Sequence, residues 1–212
     1  RRRLPPQGAG DYMEAISVGH GRVGVRQTLA RSLSSLCSIG SGASIGREGP
    51  MVQLAAMLGS LVGRWLAWPP GGLRLLVACG ATAGLTAVYN APIAGALFVS
   101  EIVYGAVSST QLVPMVVASV ASNMVIRELL RYDALYHMPA FQFVSPWEVF
   151  SYLGLGVLAG LAAPCYLRLV ALAREGFGRW IGPLWLRLAA GGLVVGAISI
   201  AWPEVWGNGF SV

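Results

Sequence analysis

The segment Ser38-Ile39-Gly40-Ser41-Gly42-Ala43-Ser44-Ile45-Gly46-Arg47-Glu48-Gly49-Pro50 holds the residue types whose spacing best allows chemistry. Its glycines and serines form a turn that runs directly into an apolar helix expected over Met51 to Gly63. The first N–H groups of a helix have no acceptor within it, and they sit at its electropositive end. A flexible backbone leading into such an end is a ready anion site. Inside a membrane it attracts an anion without a buried lysine, whose desolvation is costly. Glu48 stands at that helix start. Ionised, its carboxylate takes the anion's place; protonated, it loses its charge and swings aside, so one side chain makes a pH-sensitive gate. Position alone favours a plainer role, that of a dipole partner in a first helical turn. The run also looks like a phosphate-binding loop, but no Gly-Lys-Ser/Thr ending follows, and nucleotide binding is not expected.

Composition fixes the setting of this segment. The chain has 212 residues, of which 55% are apolar and 11% charged; soluble domains carry about 25% charged residues. A water-facing surface cannot be built from so little charge. Disorder and a disulfide scaffold are excluded as well, since the cysteines are only Cys37, Cys79 and Cys165. The net charge of +6 comes from arginines between apolar runs, where they anchor helix ends at headgroup level rather than bind nucleic acid. The chain therefore reads as an all-α, polytopic membrane protein, a single transmembrane domain over residues 1–212. Its ends read as cuts from a longer protein, because Arg1-Arg2-Arg3-Leu4-Pro5-Pro6 offers neither initiator Met nor signal peptide.

A bilayer core needs about 20 apolar residues in a helix. Leu75 to Ser100, Ile102 to Ile126, Val149 to Leu167 and the shorter Leu188 to Pro203 lack Lys, Arg, Asp and Glu. Met51 to Gly63 is too short to span alone. Tyr89-Asn90-Ala91-Pro92 splits the first interval into two helices that meet inside the membrane, with Pro92 suited to a first turn. Irregular backbone at that depth is tolerated only beside protein or a water-filled cavity. Gly80-x-x-x-Gly84, Gly156-x-x-x-Gly160 and Gly192-x-x-x-Gly196 offer sites of close helix approach. Shorter helices are expected over Asp11 to Ser17 and Thr28 to Cys37, with Arg22, Arg26 and Arg31 facing solvent or headgroups. Tyr132 to Pro146 is an aqueous loop. Asn90 is expected to bond free backbone groups of the break, and Glu128 to join an ion-pair cluster with Arg127 and Arg131. The cysteines read as small packing residues, and the tryptophans, near the ends of apolar runs, as an interfacial belt. His20 and His137 have no partners at metal-ligand spacing, so no metal is expected.

Gly46-Arg47-Glu48-Gly49-Pro50 followed by Val52-Gln53 resembles the signature of the CLC chloride channel and transporter family. Tyr89-Asn90-Ala91-Pro92-Ile93-Ala94-Gly95-Ala96-Leu97-Phe98 resembles a second family segment, in the expected order. The resemblance implies an all-helical homodimer in the membrane (the inner membrane if bacterial). It implies one anion pathway per subunit and broken helices that point their ends at the ions. This chain would cover the middle of such a subunit. By the same resemblance Glu48 is the gating glutamate, and Gly46, Arg47, Glu48 and Gly49 line the outer anion site. Chloride and similar anions would be the substrates, with protons and lipid as partners and no cofactor. Pro50 favours chloride over fluoride.

Two departures stand out. The family's Gly-Ser-Gly-Ile-Pro motif corresponds to Gly8-Ala9-Gly10-Asp11-Tyr12, which has no serine, so only the amides of Gly8, Ala9 and Gly10 would face the ion. Asp11 would repel an anion unless it caps the helix it opens. Where many family exchangers carry paired glutamates, this chain has Glu101-Ile102; Ile102 carries no proton, and Glu101 is either an internal proton site or a structural acid at a helix end. The expected activity is gated anion transport, with or without proton exchange, the alternative being a passive channel. An intramembrane enzyme is disfavoured because neither Glu48 nor Glu101 has a nucleophile–base partner nearby. A non-transporting scaffold would leave Glu48 without a use.

Overall fold

The computed structural model describes residues 11–43, 45–105, 108–130, 145, 147–180 and 183–205. Across them the chain is built from α1 (Tyr12–Ser17), α2 (Val25–Gly40), α3 (Glu48–Trp65), α4 (Pro70–Tyr89), α5 (Pro92–Tyr104), α6 (Ser109–Leu130), α7 (Glu148–Trp180) and α8 (Leu184–Ala201), with a 3-10 turn at Pro203–Val205. The all-α architecture expected from composition is what forms. Three of these helices are long and apolar enough to cross a membrane, over Pro70–Tyr89, Ser109–Leu129 and Glu148–Gly176. The chain divides into two compact units, one carrying α1 to α6 and the other α7 and α8.

Glycine sets the packing of the first unit. A Cβ on Gly59 of α3 would strike the Leu76 carbonyl oxygen, and one on Gly80 of α4 would strike that of Ala55. At Gly84 the clash would be with the Ala55 Cβ at 2.8 Å and the Val52 Cα at 3.0 Å. Bare Cα surfaces thus let two backbones meet, which is how helices associate where lipid removes the hydrophobic drive. The contacts run in opposite order along the two helices, Gly63 meeting Leu73 and Gly84 meeting Met51 and Val52. α3 and α4 are therefore antiparallel, and Glu48 lies at the end of the pair where α4 stops. Val52, Ala56, Val77, Ala78, Ala81, Ala96 and Val99 fill the core around this seam.

The expected break at Tyr89 to Pro92 is present. Asn90 closes α4 in the left-handed region (φ 54°), its N–H donating to the Thr86 carbonyl at 2.7 Å, and Pro92 opens α5. Contrary to the expectation from sequence, among the described residues the Asn90 side chain bonds side chains rather than the freed backbone groups. The Asn90 Oδ1 accepts from Asn123 Nδ2 at 2.6 Å and from Arg127 Nε at 3.3 Å, both on α6. The backbone task falls to Ser119, whose hydroxyl donates to the Pro92 carbonyl at 2.5 Å and shares a 2.8 Å bond with Thr86 Oγ1. Arg127 thus serves the break through Asn90; Arg131 lies outside the described residues, as do His137 and nearly all of the expected loop.

Several other expectations change. α2 spans Val25–Gly40 rather than Thr28 to Cys37. α7 continues past Leu167 to Trp180, because Arg168, Arg174 and Glu175 end the uncharged interval without breaking the helix. Its 33 residues give a length of ~50 Å, well beyond a ~30 Å bilayer core. Gly156, Gly160, Gly192 and Gly196 have nothing within 4 Å of a built Cβ, so these spacings make no packing contact among the described residues. Cys79 packs against the core, but Cys37 and Cys165 are exposed. Trp65, Trp68, Trp147, Trp185 and Trp202 are exposed at helix ends, where an aromatic belt belongs.

The seam makes a prediction. Gly80→Val must push backbone against backbone and should destabilise the protein by about 1–3 kcal/mol. Gly71→Ala, where a Cβ meets nothing within 4 Å, should be neutral or stabilising by up to ~1 kcal/mol. Thermal unfolding of the two variants in detergent, followed by size-exclusion recovery, measures the contrast.

Candidate anion site

The glycine- and serine-rich segment divides into two parts with different roles. Its first half ends a helix. Gly42 takes φ +86°, its N–H donates to the Ile39 carbonyl at 3.0 Å, and the Ala43 N–H donates to the Ser38 carbonyl at 3.1 Å. This pair of bonds around a left-handed glycine is the Schellman stop, and it uses up both amides. The hydroxyls of Ser38 and Ser41 bond the Ser34 and Ser38 carbonyls at 2.9 and 2.8 Å. Gly42 and its serines therefore close α2 rather than cradle an ion. Ser44 lies outside the described residues.

The second half opens a helix. Arg47 occupies the N-cap without a side-chain capping bond, and Glu48 and Gly49 are the first two helical residues of α3. The first intrahelical bond is Met51 N–H to the Arg47 carbonyl, at 3.3 Å. Pro50 has no N–H, and among the described residues no backbone carbonyl accepts from Glu48 or Gly49. Among the described residues, then, two amides at a positive helix pole have no backbone acceptor. Arg47 and Glu48 are half-buried, Gly46 and Gly49 exposed. The Glu48 side chain curls back so that a Cβ on Gly46 would collide with its Oε2. The carboxylate accordingly lies at the mouth of its own helix, where the macrodipole favours negative charge.

Behind Glu48, Gln53 is buried and its amide is used at both ends. Its Oε1 accepts from the Tyr12 backbone N–H at 3.0 Å, and its Nε2 donates to Thr28 Oγ1 at 3.1 Å. α3 thereby holds α1 and α2 together. Ser60 adds a second tie, accepting from the Val23 N–H at 3.0 Å and donating to the Gly21 carbonyl at 2.7 Å. Asp11 caps α1 as expected, its Oδ1 accepting from the Met13 N–H at 3.0 Å.

Gly8, Ala9 and Gly10 lie outside the described residues, so only the α3 part of the expected site is visible. Glu101 is not brought near Glu48. α5 folds back along α4, with Gly95 against Thr86 and Thr82, which carries Glu101 toward the opposite end of the stack. It sits exposed in the last turn of α5, beside exposed Ile102. Among the described residues no cluster of His, Cys, Asp and Glu forms that could hold a metal. Ser119 and Asn123 were not marked by sequence reasoning, Arg127 only as a partner of Glu128, and Gln53 only as part of a motif. The available signal was a side-chain amide or hydroxyl standing alone in an apolar run, which in lipid must find a partner.

Comparison with known proteins places this geometry in a family. The family profile described as "Voltage gated chloride channel" matches residues 2–212. A putative chloride channel protein, ClcB-like, from Ralstonia nicotianae is 60% identical over 99% of this chain and 50% of its own length. The voltage-gated ClC-type chloride channel ClcB of Escherichia coli K12 is 38% identical over 97% of this chain and 49% of its own. The chain thus spans about half the length of the curated relatives it matches. A solved structure, the X-ray crystal structure of a slow cyanobacterial Cl−/H+ antiporter, shares the fold with TM-score 0.72. It is 23% identical and covers 93% of this chain and 47% of that one. An all-helical membrane chain with its signature glutamate at the start of α3 and a helix break at Asn90 to Pro92, matched over nearly its whole length, belongs to the voltage-gated chloride channel (CLC) family.

Proposed function

We propose that this chain carries the anion pathway of a chloride transport protein and that Glu48 gates it by protonation. The observation that supports this best is the start of α3, where the Glu48 and Gly49 amides have no backbone acceptor among the described residues and the Glu48 carboxylate lies over Gly46. Gly46, Arg47, Glu48 and Gly49 make up the outer anion site. Gly8, Ala9 and Gly10 supply amides to a deeper one, and chloride-like anions are the substrates. An ionised Glu48 competes with the anion for the same positive pole. Protonation removes the charge and with it the competition, so flux rises as pH falls. The working unit is a homodimer in the cell membrane, transports rather than transforms its substrate, and needs no cofactor.

Coupling to protons depends on the far end of the stack. Glu101 is the candidate internal proton site. A second reading, uncoupled permeation, is favoured by Ile102, an aliphatic side chain in the position where family exchangers carry their second glutamate. In liposomes holding the full-length protein, an imposed chloride gradient drives protons uphill if Glu101 serves exchange. It leaves the proton gradient untouched if the pathway is a channel.

Two substitutions test the gate. Glu48→Gln should abolish most of the pH dependence of chloride flux; a variant that keeps the parent pH profile rules out Glu48 as the gate. Gly46→Ala places a methyl where the carboxylate now lies and leaves the amides intact. It should displace the carboxylate and raise flux at neutral pH toward the level that the parent reaches in acid.

A further inference from the structure

We propose that the end of the first unit where α3 passes into α4 binds the phosphodiester headgroup of anionic phospholipids, through Arg22, Arg64 and Arg74. The fold gathers these three arginines from separate parts of the sequence. The Ser60 hydroxyl donates to the Gly21 carbonyl at 2.7 Å and accepts from the Val23 N–H at 3.0 Å, which fixes Arg22 beside the end of α3. Gly21 packs on α4 in turn, where a Cβ would meet the Arg74 backbone nitrogen at 2.8 Å. Arg64 lies in the last turn of α3, next to Gly63, which meets the Leu73 side chain. None of the three forms an ion pair among the described residues, and the Arg74 Nε is buried with no acceptor. Glu101, the acid at this end of the stack, is exposed and pairs with none of them. A guanidinium without a carboxylate matches a phosphate, giving two parallel N–H donors to two oxygens.

The surroundings put this cluster at headgroup depth. Trp65 ends α3 and Trp68 sits in the turn to α4; they are 82% and 45% exposed, and such amphipathic rings settle at the membrane interface. The Trp68 ring lies over the first turn of α4, 2.8 Å from a Cβ built on Gly72. That helix opens without a capping side chain, so its positive pole adds to the charge of the arginines. Arg22 and Arg64 are exposed, and their stems are long enough to reach the phosphate plane. At the edge of a hydrocarbon layer the anion within reach of such a basic cluster is a lipid phosphate. The surface lies at the opposite end of α3 from Glu48, so the inference is independent of the gate.

The test is lipid retention by the full-length protein, read by native mass spectrometry in detergent at increasing salt. Phosphatidylglycerol and zwitterionic phosphatidylcholine are offered at equal concentration. The parent should prefer phosphatidylglycerol, and the preference should shrink as salt rises. Each arginine is worth about fivefold in affinity for an anionic surface. Arg64→Gln should therefore lower the preference about fivefold, and Arg64→Gln combined with Arg22→Gln about 25-fold. Lysine at the same two positions should stay near the parent. Equal retention of both lipids by the parent overturns the proposal, as does a combined variant that keeps the parent preference. Should the combined variant yield no folded protein, Arg64→Gln alone decides. Arg127→Gln, at the other end of the unit, should leave the preference intact; an equal loss there assigns the effect to net charge and overturns the site. Inorganic phosphate in excess should leave phosphatidylglycerol bound, whereas displacement marks a site for free phosphate and overturns the lipid.

Discussion

A helix broken inside hydrocarbon leaves polar backbone groups that water cannot reach, and something else must satisfy them. The described residues contain two helix breaks at the same end of the α3–α4 pair. At the α4–α5 break the protein supplies partners: Ser119 takes the Pro92 carbonyl, and Asn123 and Arg127 hold the Asn90 side chain. At the α2–α3 break the carbonyl side is closed by the Gly42 stop, and among the described residues the amides of Glu48 and Gly49 meet no backbone acceptor.

What keeps this end of the molecule in register is a seam with almost no side chain in it. Gly59, Gly80 and Gly84 bring α3 and α4 to backbone contact, so the tilt of α3, and with it the direction of its positive pole, follows from close packing. Interdigitated interiors deform little. The same rigidity carries the polar ties of Gln53 and Ser60, which reach from α3 to α1 and to the turns before α2. Fixed amides act on an anion without having to reorganise, an advantage that a flexible loop would lose.

Much of this was legible in residue types. Composition gave the membrane, Asn90 and Pro92 gave the break, and Gly80-x-x-x-Gly84 gave a true contact. The same spacing at Gly156 and Gly192 gave none, because a small residue permits an approach without supplying the partner helix. Gly42 reads as part of an ion cradle until its φ and its bonds assign it to a helix stop. Glu48 was visible by its place at a helix start. The partners of Asn90 and Gln53 were not, since each lies 25 or more residues away in sequence and no local period encodes a hydrogen bond between helices. The far extent of α7 was hidden for a related reason: charge marks where lipid ends, not where a helix ends.

The two acids that sequence singled out occupy opposite poles of their helices. Glu48 lies in the first turn of α3, where a negative charge meets the positive end of the dipole. Glu101 lies in the last turn of α5, at the negative end of that helix's dipole, its backbone carbonyl accepting from the Gly105 N–H at 3.1 Å. A halide gains nothing from that pole. Whatever Glu101 contributes must come through a proton or through structure. On the proposed function, gating and coupling would draw on acids at opposite helix poles, and a pathway could keep the first while losing the second through a change as small as the isoleucine at position 102.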